Sequence, residues 1–299
     1  MDVILKQTGT LFVMLMLGYL ASRMGWMSRE TRSGLSGILL YIVTPCVILH
    51  SFQTPAELEM WRDMCITAGV IAAFLASGLC LCLWLFGRQS AVRRATAAFG
   101  AAFGNVGFMG VPVVASFVGE EALIYVSTGM AAFNLITWTI GVRAFDRHAF
   151  RLKTLVASPV LYAVAIGMAM FFLQARLPEF IGGVVDMVSA TASPLSMMMV
   201  GAILAECPIR ALVKDRVVLE AAALRLLVFP ALTLALCCIC GIEGRLRMVL
   251  VLLNGMPGAV NTVLLSLRFH GDEELASRIV ALSTLLYLPA VVVWMMILH

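Results

Sequence analysis

The chain has 299 residues, of which 62% are hydrophobic and 13% charged, and its formal net charge is +4. Soluble domains run nearer half apolar and a quarter charged, so this composition excludes a water-soluble domain and places the chain in a bilayer. The eight cysteines fall mostly inside apolar runs, without metal-ligand spacing or a histidine partner, and read as small buried hydrophobes.

A membrane-spanning helix needs roughly 20 apolar residues. Ten such stretches are predicted. The first, 4–22, begins at once and lacks a small-residue cleavage pattern, so it reads as a retained span. Residues 33–52 carry Thr44 and Pro45, and 64–87 are continuous. Residues 92–117 contain GNVGFMGVP (104–112), poor helix material. Residues 122–143 carry Asn134, 155–174 are plain, and 183–205 carry Pro194. Residues 217–240 contain Arg225 and Pro230. Residues 246–267 contain NGMPGAVN (254–261), and 275–298 carry Pro289. The connections are short and leave no room for a soluble domain. Trp26, Trp61, Trp84 and Trp294 stand near span ends, where aromatic belts form.

Lysine and arginine are unevenly shared. Connections 1–2, 3–4, 5–6, 7–8 and 9–10 hold most of them, including Arg23, Arg88, Arg94, Arg143, Arg147, Arg151, Lys153, Arg210 and Arg268. Lys6, Arg62, Arg176, Arg245 and Arg247 lie on the other side. The positive side faces the cytoplasm, so both termini are expected outside.

Prolines point to an internal repeat. Pro45 interrupts the second span and Pro194 the seventh; Pro112 interrupts the fourth and Pro257 the ninth. Two copies of five spans, 1–150 and 151–299, would lie upside down relative to each other. Paired interrupted segments in the two halves are the sequence mark of a transporter binding site.

A broken helix in hydrocarbon is costly unless its free backbone faces a polar cavity. The second half-helices are expected to begin after the prolines, at Val113 and Gly258. Helix N-termini carry partial positive charge and free N–H donors. Two of them converging at mid-depth make an anion site. The expected substrate-contacting residues are Asn105, Gly107, Pro112, Asn134, Asn254, Pro257 and Asn261, with Thr44 a weaker candidate. Arg225, about 12 Å deep at 1.5 Å per residue, has three readings: pairing with Glu220, attracting an anionic substrate, or snorkelling to the surface. No carboxylate pair lies deep enough for an obvious sodium site. No metal site and no cofactor are expected.

FGNVGFMGVPVVASFVGEEAL (103–123), NGMPGAVNTVLLSLRFHGDEELAS (254–277) and ALSTLLYLP (281–289) resemble the fourth, ninth and tenth spans of the auxin efflux carrier family. The resemblance implies an all-α membrane fold of ten helices in two inverted five-helix repeats. That fold is similar to the bile-acid symporters and sodium–proton antiporters, with helices 4 and 9 broken where they cross. It implies a scaffold of spans 1, 2, 6 and 7, often dimeric, and a moving domain of spans 3–5 and 8–10. Plant members export indole-acetic acid, and bacterial members are linked to malate and malonate. The long cytoplasmic loop usual in plant members is absent here, so an auxin-like substrate does not carry over.

The sequence therefore predicts a secondary carrier of small organic anions, working by alternating access in a bacterial inner membrane as a homodimer. Nucleic acid is not an expected partner. A sodium-coupled importer on the same fold is the alternative. An intramembrane enzyme would need paired aspartates, Ser with His, or HExxH at depth, and none occurs. A sensor would need an output module, and a channel would be told by unitary currents.

Overall fold

The computed structural model describes residues 2–53, 58–146, 159–205, 212 and 214–298. The proposed repeat boundary at 150, the cations Arg147, Arg151, Lys153 and Arg210, Cys207, His148 and His299 lie outside the described residues.

The described chain is helical throughout. Helix α1 is Asp2–Arg23. Ser28 caps α2 (Arg29–Ile38), accepting from the Thr31 amide at 3.2 Å. A π-helical turn, Leu39–Val43, leads into α3 (Thr44–Ser51), and α4 is Leu58–Leu85. Helix α5 is Ala91–Ala102; the chain then extends before a π turn, Val106–Gly110, and α6, Val111–Phe117. Helix α7 is Leu123–Ile136, with a π turn (Thr137–Gly141) and a short 3-10 turn (Val142–Ala144) after it. Helices α8 (Pro159–Phe172), α9 (Glu179–Ala190) and α10 (Ala192–Leu204) come next. Asp215 caps α11 (Arg216–Ala223), and a π turn, Leu224–Val228, joins it to α12 (Phe229–Ile239). Helix α13 (Gly244–Gly255) ends in a second extended break before α14 (Asn261–Arg268), and α15 is Glu273–Leu298.

Among the described residues, six helical runs are long and apolar enough to cross a membrane. Shorter apolar helices fill Gly9–Arg23, Val106–Phe117 and Pro159–Phe172. Large apolar side chains stand in the open: Trp84 is 75% exposed and Phe180 84%. A soluble protein would not leave so many such groups in water, so the chain is an integral membrane protein. Arg32 and Arg225 are the only charged side chains buried among the described residues. The seven described cysteines are free thiols, but only Cys82 and Cys237 are buried as expected; Cys65, Cys80, Cys238 and Cys240 are exposed.

Three prolines share one local solution. Pro45, Pro112 and Pro230 each begin a helix directly after a five-residue π turn. In an α-helix, proline clashes with the carbonyl four residues back and costs about 3 kcal/mol. The π turn reaches one residue further: the Thr44 amide donates to Leu39 and that of Phe229 to Leu224. The helix therefore runs through these prolines. Two expectations are corrected. The first helix resumes at Val106, not at Val113, and Pro112 lies inside the resumed helix. The second half-helix begins at Asn261, not at Gly258, which lies in the extended break.

Packing is tightest between α1 and α10. A Cβ on Gly18 would overlap the Met198 carbonyl oxygen, and one on Gly201 would overlap that of Leu15. Only glycine lets two helix backbones touch in this way. Helix α3 packs on α8 and α9, α4 on α5 and α7, and α15 on α5, α11 and α14. His50 Nδ1 and Asp186 Oδ1, 2.7 Å apart, join α3 to α9.

Candidate substrate site at the crossing of two broken helices

The two breaks meet. Gly104 and Gly258 face each other as a short antiparallel bridge. The Asn105 amide donates to the Pro257 carbonyl at 2.7 Å, and the Ala259 amide donates to Phe103 at 2.9 Å. Both freed segments thus satisfy each other where hydrocarbon would penalise them. The Gly258 amide donates to Ser283 Oγ at 2.9 Å, and that hydroxyl donates back to Ile279 within α15.

Arg225 closes the crossing from behind. Its Nε donates to Met256 O at 2.7 Å, Nη1 to Ala102 O at 2.6 Å, and Nη2 to Asn254 O. One guanidinium therefore holds the carbonyl ends of α5 and α13 together. Those ends carry partial negative charge, and charge-assisted bonds suit them. The Phe229 ring lies 5.5 Å from the guanidinium carbon. The π turn around Leu224–Val228 carries Arg225 at this point, a common use of such turns. Gly104 makes room for it: a Cβ there would sit 2.6 Å from Nη2. Arg225 is 2% exposed, so the snorkelling reading fails. Pairing with Glu220 fails too, because Glu220 accepts from Arg216 Nε at 2.7 Å.

On the other side of the crossing is a small cavity of about 50 Å³. Asn105, Gly107, Asn134 and Asn261 line it, with Thr44 and Phe133. Asn105 Oδ1 caps the resumed helix by accepting from the Phe108 amide at 3.2 Å, while its Nδ2 is buried without a partner. Asn134 Nδ2 donates to Met130 O at 2.8 Å, which leaves its carbonyl oxygen uncommitted. The amides of Gly107, Val260 and Asn261 donate to no described carbonyl. Unclaimed N–H groups at two helix starts make a place for an anion.

Four expected residues thus come together at the cavity, Asn105, Gly107, Asn134 and Asn261. The other four do not line it. Arg225 and Asn254 sit behind the crossing, Pro257 lends its carbonyl to Asn105, and Pro112 is buried in α6. Asn254 Nδ2 is buried without a partner. Ser283 and Phe133 were not singled out by the sequence. The Ser283–Thr284 pair inside the apolar run of α15 was the available signal for Ser283, and nothing distinguishes Phe133 from other core aromatics.

A family model for membrane transport proteins matches residues 3–154 and 147–295. The chain belongs to the membrane transport protein family. This is the auxin efflux carrier grouping that residues 103–123 and 254–277 resemble. Among relatives of this transporter, an uncharacterised transporter of Methanothermobacter thermautotrophicus is 25% identical over 302 residues, covering 97% of this chain and 96% of that protein. A protein of Rhizobium meliloti, provisionally named a malonate transporter, is 24% identical over 294 residues, covering 94% of this chain and 91% of its own. An uncharacterised transporter of Methanocaldococcus jannaschii is 23% identical over 312 residues, covering 98% and 97%.

Proposed function

We propose that this transporter is a secondary carrier for small organic anions, with the substrate held in the cavity at the crossing. The observation that carries this reading is the set of unclaimed donors there: Asn105 Nδ2 and the amides of Gly107, Val260 and Asn261. A carboxylate would take them up. The Thr44 hydroxyl and the second hydrogen of Asn134 Nδ2 would donate to its other end. Cavity size supports a short acid. A water takes roughly 10–15 Å³ of such space, so about 50 Å³ suits a three- or four-carbon acid better than an indole ring. The relative provisionally named a malonate transporter agrees with that class.

The finer fold belongs to the same proposal. Gly18 and Gly167, Pro45 and Pro194, and Asn105 and Asn254 stand at one constant separation along the chain. A Cβ on Gly167 would overlap the Phe52 ring, much as one on Gly18 would overlap α10. These pairs support two inverted five-helix repeats crossing the membrane ten times. Helices α1, α2, α3, α8, α9 and α10 form the scaffold and homodimer surface, and the remainder moves past it as one body. The arginine-rich face is cytoplasmic, the termini lie outside, and the setting is a bacterial inner membrane. A proton gradient or the membrane potential drives the cycle.

The test is flux into proteoliposomes of radiolabelled malonate, malate and indole-acetate under an imposed gradient or potential. Saturable flux of a short acid, with indole-acetate excluded, is the expected result. Flux of indole-acetate alone would overturn the size argument, and flux of none would overturn the substrate class.

A further inference from the structure

A second, closed space lies on another flank of Asn105. It is a slit between the crossing, α10 and α15, lined by Asn105, Val260, Thr284, Val200, Ile203 and Leu204. It leaves no room for a water molecule. Two polar groups at its wall are stranded. Asn105 Nδ2 and Thr284 Oγ1 are buried without a hydrogen-bond partner, and their residues are 5% and 1% exposed. A threonine inside a helix can return its hydroxyl to the carbonyl four residues back. Ser283, beside it, does so to Ile279 at 2.6 Å, and Thr284 does not.

The cover over these two groups is wholly apolar: Val200, Ile203 and Leu204, all from α10. Buried polar groups are ordinarily paired with protein or water, and an unpaired one costs free energy. Here neither partner is at hand. A polar wall under an apolar cover is satisfied only when wall and cover separate. The slit also adjoins the open cavity, since Asn105 and Val260 line both. A ligand held by Asn105 in the cavity therefore stands at the slit's edge.

We propose that the slit is a closed passage for the substrate, and that Thr284 binds the substrate once α10 has moved off the crossing. The Thr284 hydroxyl and Asn105 Nδ2 then donate to one carboxylate. With α10 seated, Val200, Ile203 and Leu204 seal the passage and leave both donors idle. The inference rests on the crossing being the substrate site.

The test uses the purified full-length protein, with malonate flux into proteoliposomes and the thermal midpoint measured on the same variants. Thr284→Val keeps the shape and removes the hydroxyl. Its midpoint should equal or exceed that of the parent, because the closed slit loses no hydrogen bond. Its flux should fall about tenfold, the worth of one hydrogen bond to a charged group. Thr284→Ser should restore most of the flux. Thr262→Val removes another hydroxyl that is buried without a partner, outside the slit, and should leave flux at the parent level. Parent flux in Thr284→Val would overturn the proposal, and so would a midpoint that falls together with the flux. A second readout needs no transported acid. Thr284→Cys in proteoliposomes is treated with a water-soluble maleimide, and modification at position 284 is read by peptide mass spectrometry. Modification is expected, although the closed slit excludes water. If the parent carries none of the acids tested, the crossing loses its substrate class, while modification at 284 still upholds the passage. No modification under either sign of membrane potential would overturn it.

Discussion

The backbone amide of Asn105 donates to the backbone carbonyl of Pro257 at 2.7 Å, so the two broken helices are joined by the main chain itself. No substitution at Asn105 other than proline removes that bond. The Asn105 side chain can therefore be tested apart from the crossing it belongs to. Asn105→Asp keeps the acceptor for the Phe108 amide but sets a negative charge where a carboxylate would bind. It should abolish anion flux and leave the thermal midpoint almost unchanged. Asn105→Ala loses both cap and donor, with a stability loss of about 1 kcal/mol and reduced flux. Flux through Asn105→Asp at the parent rate would remove Asn105 from the site.

Arg225 serves three carbonyl ends at once, and among the described residues no other cation is placed to replace it. Arg225→Met would leave Ala102, Asn254 and Met256 with buried, unpaired oxygens. Each costs roughly 1–3 kcal/mol, so the protein should lose most of its thermal stability in detergent. Arg225→Lys keeps the charge but offers a point where the guanidinium offers a fork; an intermediate midpoint is expected. A full midpoint in Arg225→Met, measured by intrinsic fluorescence, would show that the crossing holds without it.

Gly104→Ala puts a methyl group against the same guanidinium. In the parent it should cut flux at least tenfold, because a fully engaged Arg225 has nowhere to go. In an Arg225→Met background the same change should cost far less. A double-mutant cycle reads this as a coupling of about 1–3 kcal/mol; additive effects would deny the contact.

Between α1 and α10 the expectation is purely steric. Gly18→Ala and Gly201→Ala each force two backbones apart and should cost about 1–3 kcal/mol or more. Gly9→Ala, with nothing near its Cβ position, is the control and should be neutral. Equal midpoints for all three variants would mean that these helices do not touch.

Much of this could be read from the chain. Both breaks were legible because glycine, asparagine and proline together inside an apolar run have no other inexpensive explanation. Where the first break falls was not. Proline forbids a bond to the carbonyl four residues back, but a π turn gives up that bond anyway, so Pro112 marks no break. Asn105, by capping the Phe108 amide, sets the helix start, and an asparagine reads equally well as cap or ligand. The place of Arg225 was hidden for a different reason. Its partners are main-chain carbonyls, which every residue has, so nothing in the sequence names them. Asn254 looked like the counterpart of Asn105 and lies behind the crossing instead, because α13 ends one residue later, at Gly255, before the chain extends.

The π turns before Pro45, Pro112 and Pro230 bear on how this chain should be compared with its kin. Each turn closes over one residue more than an α turn would, so each amounts to a single-residue insertion kept in place by the proline after it. Lineages that lack one of these prolines are free to delete one residue there and rewind the helix. Gaps of a single position at 39–43, 106–110 and 224–228 should therefore go with the loss of the adjoining proline. An alignment that forbids gaps inside helices would misplace everything beyond them by about 100° around the helix axis.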